Sequence, residues 1–170
     1  MNFSPMTQEL EASPGFLLHD VSRLLRRNFG RRIETLELTQ AQCRALLHLS
    51  RNEGVRQVDL AEILEVQPIT LARLIDQLAG IGLVERRPDP ADRRAFRLVL
   101  TRAAKPVLAQ IRALGAQTWA DATADIGAAR MAQFAKTLHD LKRNLLAAEP
   151  AQSGAPRSTV EKERHVRARV

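Results

Sequence analysis

The stretch of residues 57–101 constrains the fold of this chain more than any other. It contains, in order, a short amphipathic helix, a three-residue turn, a second short helix, a strand, a charged turn and a second strand. Pro68 directly follows the three-residue turn, and its fixed φ angle suits the first position of a helix, so the second helix is predicted to begin there. This order of elements predicts a winged helix-turn-helix.

The second helix is predicted to have one buried face and one polar face. Its apolar residues recur at i, i+3, i+4 and i+7, which is typical of a buried stripe. They are Leu71, Leu74, Ile75 and Leu78. Hydrogen-bonding side chains that share much of the opposite side are Gln67, Thr70, Arg73 and Gln77. Such side chains can reach base edges in a DNA major groove, with arginine best suited to guanine and glutamine to adenine.

The turn between the two predicted strands concentrates positive charge. The chain as a whole has a formal net charge of +7, and residues 86–105 contain seven Lys or Arg against two Asp, a local balance of +5. An isolated charge run is usually only a solvated surface. Here the run lies on a hairpin beside a polar-faced helix, which favours a nucleic acid as the partner.

The run DLAEILEVQPITLARLIDQLAGIGLVERRPDPADRRAFRLVLT resembles the DNA-binding lobe of the MarR family of bacterial transcription regulators, and SlyA-type members most of all. It includes the wing signature DRRAFR and the LT pair that follows it, and the similarity extends over roughly residues 14–147. One position departs from the family pattern, because Glu65 stands in a turn where the family often has Gly. If that position needs a positive φ angle, Glu costs about 1 kcal/mol there.

The resemblance implies a mode of DNA binding. The polar helix would enter the major groove, and one arginine of the DRR tripeptide would enter the minor groove while Asp92 orients its neighbour through a bidentate pair. We expect Arg94 to lie in the groove and Arg93 to make the internal pair. The DNA-binding residues expected on this basis are Gln67, Pro68, Thr70, Arg73, Gln77, Asp92, Arg93, Arg94 and Arg97.

Long amphipathic helices are predicted on both sides of this lobe. The first begins at Pro14, the second follows an N-cap at Thr101, and the last spans about residues 128–147 with apolar residues in a coiled-coil-like seam. Those residues are Phe134, Leu138, Leu141 and Leu145. A small winged domain does not need three such helices, so we expect them to interlock with a second copy. A homodimer would bind a pseudo-palindromic operator in double-stranded DNA.

The predicted fold class is therefore mainly α (α+β), a winged helix-turn-helix DNA-binding lobe with a helical dimerisation domain. The lobe spans residues 39–101 and begins with a capping box at Thr39 and Gln42, and the dimerisation helices are 14–36 and 102–147. Residues 1–13 are predicted to be a flexible arm. Residues 148–170, rich in Pro, Ser, Gly and charge, are predicted to be a disordered basic tail.

The resemblance also implies regulation. MarR-like proteins commonly repress transcription, and many release DNA when a small aromatic carboxylate or phenolic compound binds between the dimer helices and the winged lobe. Arginines near an apolar cleft are compatible with such an effector. The alternative function is a winged-helix module that binds a protein, but such modules usually lose the wing arginines and the polar helix face.

Other classes have little support in the residues. Cys43 stands alone in a predicted core helix, which disfavours disulfides, a redox switch and nucleophilic catalysis, and fits the cytoplasm. The four histidines, His19, His48, His139 and His165, form no HxxxH or HxH pair, so no metal site is expected. Phosphate-binding glycine motifs and the GxSxG elbow are missing, so neither a cofactor nor an enzymatic activity is expected. Neither a signal peptide nor a membrane span is expected from the sequence.

Overall fold

The computed structural model describes residues 13–92 and 95–148. The helices are α1 (Pro14–Ile33), α2 (Gln40–Leu49), α3 (Gln57–Leu64), α4 (Pro68–Gly80), α5 (Ala104–Ala122) and α6 (Ala128–Ala148), and a short 3-10 helix, Glu34–Leu36, follows α1. The strands are β1 (Val55–Arg56), β2 (Val84–Pro88) and β3 (Phe96–Leu100). This mainly helical architecture with a small sheet confirms the predicted fold class.

The three strands form one antiparallel sheet in the order β1-β3-β2. The two longer strands were predicted, but β1 was not, because two residues are too few to show an alternating pattern. The register places Arg97 of β3 directly opposite Arg56 of β1 on one side and Arg87 of β2 on the other. Residues opposite each other point to the same face, so three arginines cross the sheet in one row.

Two positive φ angles shape the helix-turn-helix. Glu65 ends α3 with φ of 54°, and its backbone N–H donates to the carbonyls of Ala61 and Glu62. The departure from the family pattern therefore does carry the strain of a left-handed non-glycine residue, roughly 1–2 kcal/mol. At the other end, Gly82 has φ of 76° and turns the chain from α4 into β2 without that strain.

The helix caps partly match the sequence expectations. Thr39 and Gln42 form the predicted capping box at the start of α2. The predicted N-cap at Thr101 is wrong, because α5 begins three residues later with Ala103 as its N-cap. The Thr101 backbone N–H donates to the Leu83 carbonyl, and its hydroxyl donates to the Gly82 carbonyl at 2.6 Å. These bonds hold Thr101 at the end of the sheet.

The core lies between the helices of the lobe and one face of the sheet. It includes fully buried residues from α2, α3, α4, β3 and α5. Among them are Leu46, Leu60, Ile75, Leu98 and Ile111. In α4 the predicted stripe is buried at Leu71, Ile75 and Leu78, and Leu74 is partly buried. Cys43 is also buried in this core, so its thiol packs as a small apolar group.

The chain divides at Ala124 into two compact units. In the first, α1 exposes a row of large apolar side chains, including Leu17, Leu18, Val21 and Leu24. In the second, α6 has no buried residue and exposes Phe134, Leu141 and Leu145 of the predicted seam. The predicted arm (1–13) lies outside the described residues except Ser13, which caps α1. The predicted tail (148–170) also does, except Ala148, which ends α6.

Candidate nucleic-acid interface

The N-terminal part of α4 presents its side chains to solvent. Pro68 occupies the first helical position, and the Gln67 carbonyl accepts the first helical bonds from the N–H groups of Thr70 (2.9 Å) and Leu71 (3.1 Å). The Gln67 side chain does not cap the helix and is therefore available to a partner. Gln67, Pro68, Thr70 and Arg73 are all exposed, so four of the residues expected to bind DNA are accessible to a partner.

Gln77 is exposed but has a hydrogen-bond partner within the lobe. Its Oε1 accepts a bond of 3.2 Å from Nε2 of Gln42 in α2. Gln42 is buried, and its Oε1 accepts from the Thr39 backbone N–H at 2.8 Å. A short polar chain therefore joins α4 to the capping box of α2, which gives Gln77 a positioning contact that the sequence did not reveal.

The β2–β3 hairpin forms the wing, and its base is the end of β2, where Asp89 binds two arginines. The Asp89 side chain has no solvent-exposed surface, but only a thin layer of protein covers it. Oδ2 lies 3.2 Å from Nε of Arg56 and 3.2 Å from Nε of Arg97, while Oδ1 accepts from the Ala91 backbone N–H at 2.9 Å. The bond from Ala91, together with the two guanidinium groups, holds the pKa of Asp89 below its usual value despite burial. Asp89 is therefore ionised at neutral pH.

The two arginines on Asp89 keep part of their surface in solvent. The side chains of Arg56 and Arg97 are 41% and 44% exposed. Arg97 also donates from Nη1 to the Gly54 carbonyl at 3.1 Å, so the expected DNA-binding residue Arg97 is largely engaged within the wing base. One carboxylate offsets two guanidinium groups, which leaves a net positive charge at this surface.

An ion pair connects the β2–β3 hairpin to α4. Nη2 of Arg86 in β2 lies 2.7 Å from Oδ1 of Asp76 in α4, and it also donates to Gln57 of α3 at 3.3 Å. On the same strand, Arg87 pairs with Glu85. The charge-assisted bond from Arg86 fixes the direction of the hairpin relative to α4. The exposed face of α4 and the β2–β3 hairpin are therefore directly connected.

The sequence did not indicate every residue at this surface. Arg56 and Asp89 were not among the expected residues, and neither was Ile69, an exposed apolar residue on α4. Asp92 has an interaction partner of its own. Arg93 and Arg94, which were expected to make the internal pair and to enter the minor groove, lie outside the described residues. Arg56 could have been noticed because it occupies the N-cap position of α3 without capping the helix.

An open pocket of about 270 Å³ lies between α1 and α5. The residues lining it are Leu25, Arg26, Phe29, Gly115, Thr118 and Trp119. The surface that lines it is almost entirely apolar. Within residues 13–92 and 95–148, no cluster of His, Cys, Asp or Glu could hold a metal ion. None of the helices described has the length and apolar character needed to cross a bilayer.

Comparisons with known proteins agree with this geometry. The sequence model of the MarR family matches residues 38–96. The crystal structure of apo MarR from E. coli aligns with a TM-score of 0.71 at 27% identity, covering 76% of this chain and 96% of that one. The structure of a mutant E. coli MarR complexed with operator DNA aligns with a TM-score of 0.69 at 27% identity, covering 81% and 99%. The transcriptional regulator PA3341 aligns with a TM-score of 0.68 at 37% identity, covering 78% and 98%.

Proposed function

This chain belongs to the MarR family of transcriptional regulators, and on that premise we propose that it is a homodimeric repressor that binds a specific double-stranded operator in the cytoplasm and is released by a small aromatic or phenolic ligand. The observation that carries the proposal is the exposed polar face of α4, held beside an arginine-rich hairpin by the Arg86–Asp76 ion pair. A helix in the major groove and a wing in the adjacent groove need this arrangement.

Within the proposed interface, the residues divide by task. Gln67, Thr70 and Arg73 face base edges, and Arg73 is the residue most suited to a guanine because its guanidinium can donate two parallel bonds to O6 and N7. Arg94 enters the minor groove, and Asp92 with Arg93 supports it. Gln77 contributes through its contact with Gln42 as well as through any contact with DNA. Pro68 fixes the start of the helix, and Arg97 supports the wing base.

Dimerisation is supported by the apolar surface that the single chain leaves in water. Exposed large apolar side chains recur along α1 and α6, where isolated exposed residues would be ordinary but rows at helical spacing are not. A second copy would bury these rows. A two-fold axis would then place two α4 helices in successive major grooves about one DNA turn apart, roughly 34–36 Å.

Release by a ligand is supported by the pocket between α1 and α5. Its volume of about 270 Å³ is just below the usual range for ligand sites, which suits a ligand with a single aromatic ring. Phe29 and Trp119 would contact the ring, and the guanidinium group of Arg26 would turn toward the carboxylate to offset its charge. A ligand that favours one spacing of the two lobes would shift the population away from the form that fits DNA.

The experiment is a fluorescence anisotropy titration of the protein against DNA from upstream of its own coding region, compared with random DNA and repeated from roughly 50 to 300 mM salt. We expect a preference for the upstream DNA and an affinity that falls steeply with salt, because phosphate contacts release counterions. Arg73→Ala should relax the preference at particular base pairs, whereas Arg94→Ala should reduce the salt slope by about one unit. A flat salt response without sequence preference would favour a protein-binding module instead.

A further inference from the structure

Ile69 is a large apolar residue on the otherwise mainly polar exposed face of α4. Its residue surface is 65% exposed, whereas Leu71, Ile75 and Leu78 of the same helix are buried. One exposed apolar residue on a protein surface is ordinary and needs no explanation. This one lies in the first turn of α4, between Pro68 and Thr70, close to Gln67, Thr70 and Arg73, which are expected to contact DNA.

The helical geometry places Ile69 at the most outward position of α4. Successive residues of an α-helix are rotated by about 100°, so Ile69 lies almost opposite the buried stripe centred on Leu71 and Leu78. Arg73 follows it at i+4, and side chains at that spacing are neighbours about 5–6 Å apart at Cβ. The outward ridge then continues to Asp76, which the ion pair with Arg86 occupies. Ile69 and Arg73 are therefore the pair that would enter a groove most deeply.

The chemistry of the major groove offers one apolar group to such a side chain. Guanine, cytosine and adenine present hydrogen-bonding atoms on their groove edges, whereas thymine adds its C5-methyl group. An isoleucine pressed against polar edges would remove water from them without replacing the lost hydrogen bonds, which is unfavourable. Against the methyl group it buries apolar surface on both partners.

We propose that Ile69 contacts the 5-methyl group of a thymine in each half-site and thereby specifies thymine within about two base pairs of the guanine bound by Arg73. The proposal rests on the proposed function, since it assumes that α4 enters the major groove. It assigns a specificity-determining role to a residue whose side chain has no hydrogen-bonding group. The expected discrimination is against bases without the methyl group.

Deoxyuridine provides the test, because it differs from thymidine only by this methyl group. The preferred site is first selected from random DNA with the wild-type protein. Each thymine of one half-site is then replaced in turn by uracil, and affinities are measured for wild type, Ile69→Val, Ile69→Ala and Ile81→Ala. Ile81 is a matched control, because it is an isoleucine of similar exposure (56%) just beyond the other end of α4.

For the wild type, we expect the uracil substitution at one thymine to weaken binding by about fourfold, which corresponds to one buried methyl group. Ile69→Ala should bind thymine and uracil sites equally, Ile69→Val should lie between them, and Ile81→Ala should match the wild type. Because Ile69 is exposed, these variants should keep the wild-type melting temperature.

The possible failures are distinguishable. If the wild type selects a site but Ile69→Ala keeps the full sensitivity to uracil, or if no thymine in the site is sensitive, the role of Ile69 is wrong while the proposed function stands. If the wild type selects no site, the proposed function itself is wrong and the role of Ile69 falls with it.

Discussion

Replacing Asp89 by asparagine tests whether Asp89 affects DNA binding by positioning two arginines or only through its negative charge. The substitution removes a negative charge from a surface that would face DNA, so charge alone predicts tighter binding and a steeper salt dependence. The structure predicts the opposite, because Asp89 holds Arg56 and Arg97 at the base of the wing. Asparagine keeps only one side-chain oxygen, so if that oxygen accepts from Ala91, an NH2 group faces the two guanidinium groups and cannot accept their bonds. Both side chains and the hairpin would then lose their fixed positions.

The magnitude follows from the number of arginines involved. Arg56 and Arg97 keep 41% and 44% of their side-chain surface exposed, so each could contact one phosphate. Each phosphate contact contributes about 0.9 to the slope of log affinity against log salt, so the loss of both contacts would lower the slope by up to about 1.8. With that slope, one phosphate contact strengthens binding by about fivefold when the salt falls from about 1 M to about 0.15 M. The loss of one contact should therefore weaken binding at about 0.15 M by about the same factor. We therefore expect Asp89→Asn to bind roughly 5- to 30-fold more weakly than the wild type.

Glu85→Gln is the control with the same change in charge. Glu85 lies on β2, is partly exposed and pairs with the exposed Arg87, so its loss should leave DNA affinity equal or slightly higher. Anisotropy titrations at several salt concentrations compare the two variants. In Asp89→Asn the introduced amide oxygen can still accept from the Ala91 N–H, and a melting curve checks that the lobe remains folded. Equal affinities and slopes for both variants would show that Asp89 does not act through the arginines.

Three further outcomes follow from the structure. Burial raises the pKa of Cys43 from 9.0 to about 11, so its thiolate fraction is about 100-fold lower than in the unfolded chain; thiol-reagent rates in buffer and in urea should differ by at least that factor, and equal rates would contradict the buried assignment. Gln42→Ala removes the capping box and the bond to Gln77 and should cost about 1–2 kcal/mol in urea unfolding, whereas the exposed Arg44→Ala should cost less than about 0.5 kcal/mol. Leu145→Lys places a charge in the exposed row of α6 and should shift sedimentation from a dimer to a monomer, while a sedimentation pattern identical to that of wild type would exclude α6 from the interface.

The elements that sequence could predict are those whose pattern is local. The buried stripe of α4 and the capping box at Thr39 follow from spacings of three and four residues, and Pro68 marks a helix start by its own geometry. The positive φ of Glu65 could be anticipated only through the resemblance, because glutamate itself does not favour it.

The features that sequence missed depend on contacts between distant residues. Arg56 and Asp89 are 33 positions apart, and β1 exists only because β3 pairs with it. Threonine is a residue type favoured at N-caps, but the hydroxyl of Thr101 donates to the Gly82 carbonyl and does not cap the helix. Each of these depends on which segments meet in space, and local periodicity contains no such information.

The connections around the wing also limit how a ligand could release DNA. Arg86 joins β2 to α4 and to α3, and Thr101 joins the end of β3 to the turn after α4. Moving the hairpin relative to α4 would break these bonds together, although the Arg86–Asp76 pair is partly exposed and by itself contributes at most about 1 kcal/mol. Moving two intact lobes apart breaks none of them. In the proposed homodimer, DNA binding would require a fixed separation of about one helical turn between the two lobes. A small change in the helices that would join the two copies would then be enough to prevent binding. Ligand control is therefore expected to act on the spacing of the lobes, through α1 and α5, with each reading surface unchanged.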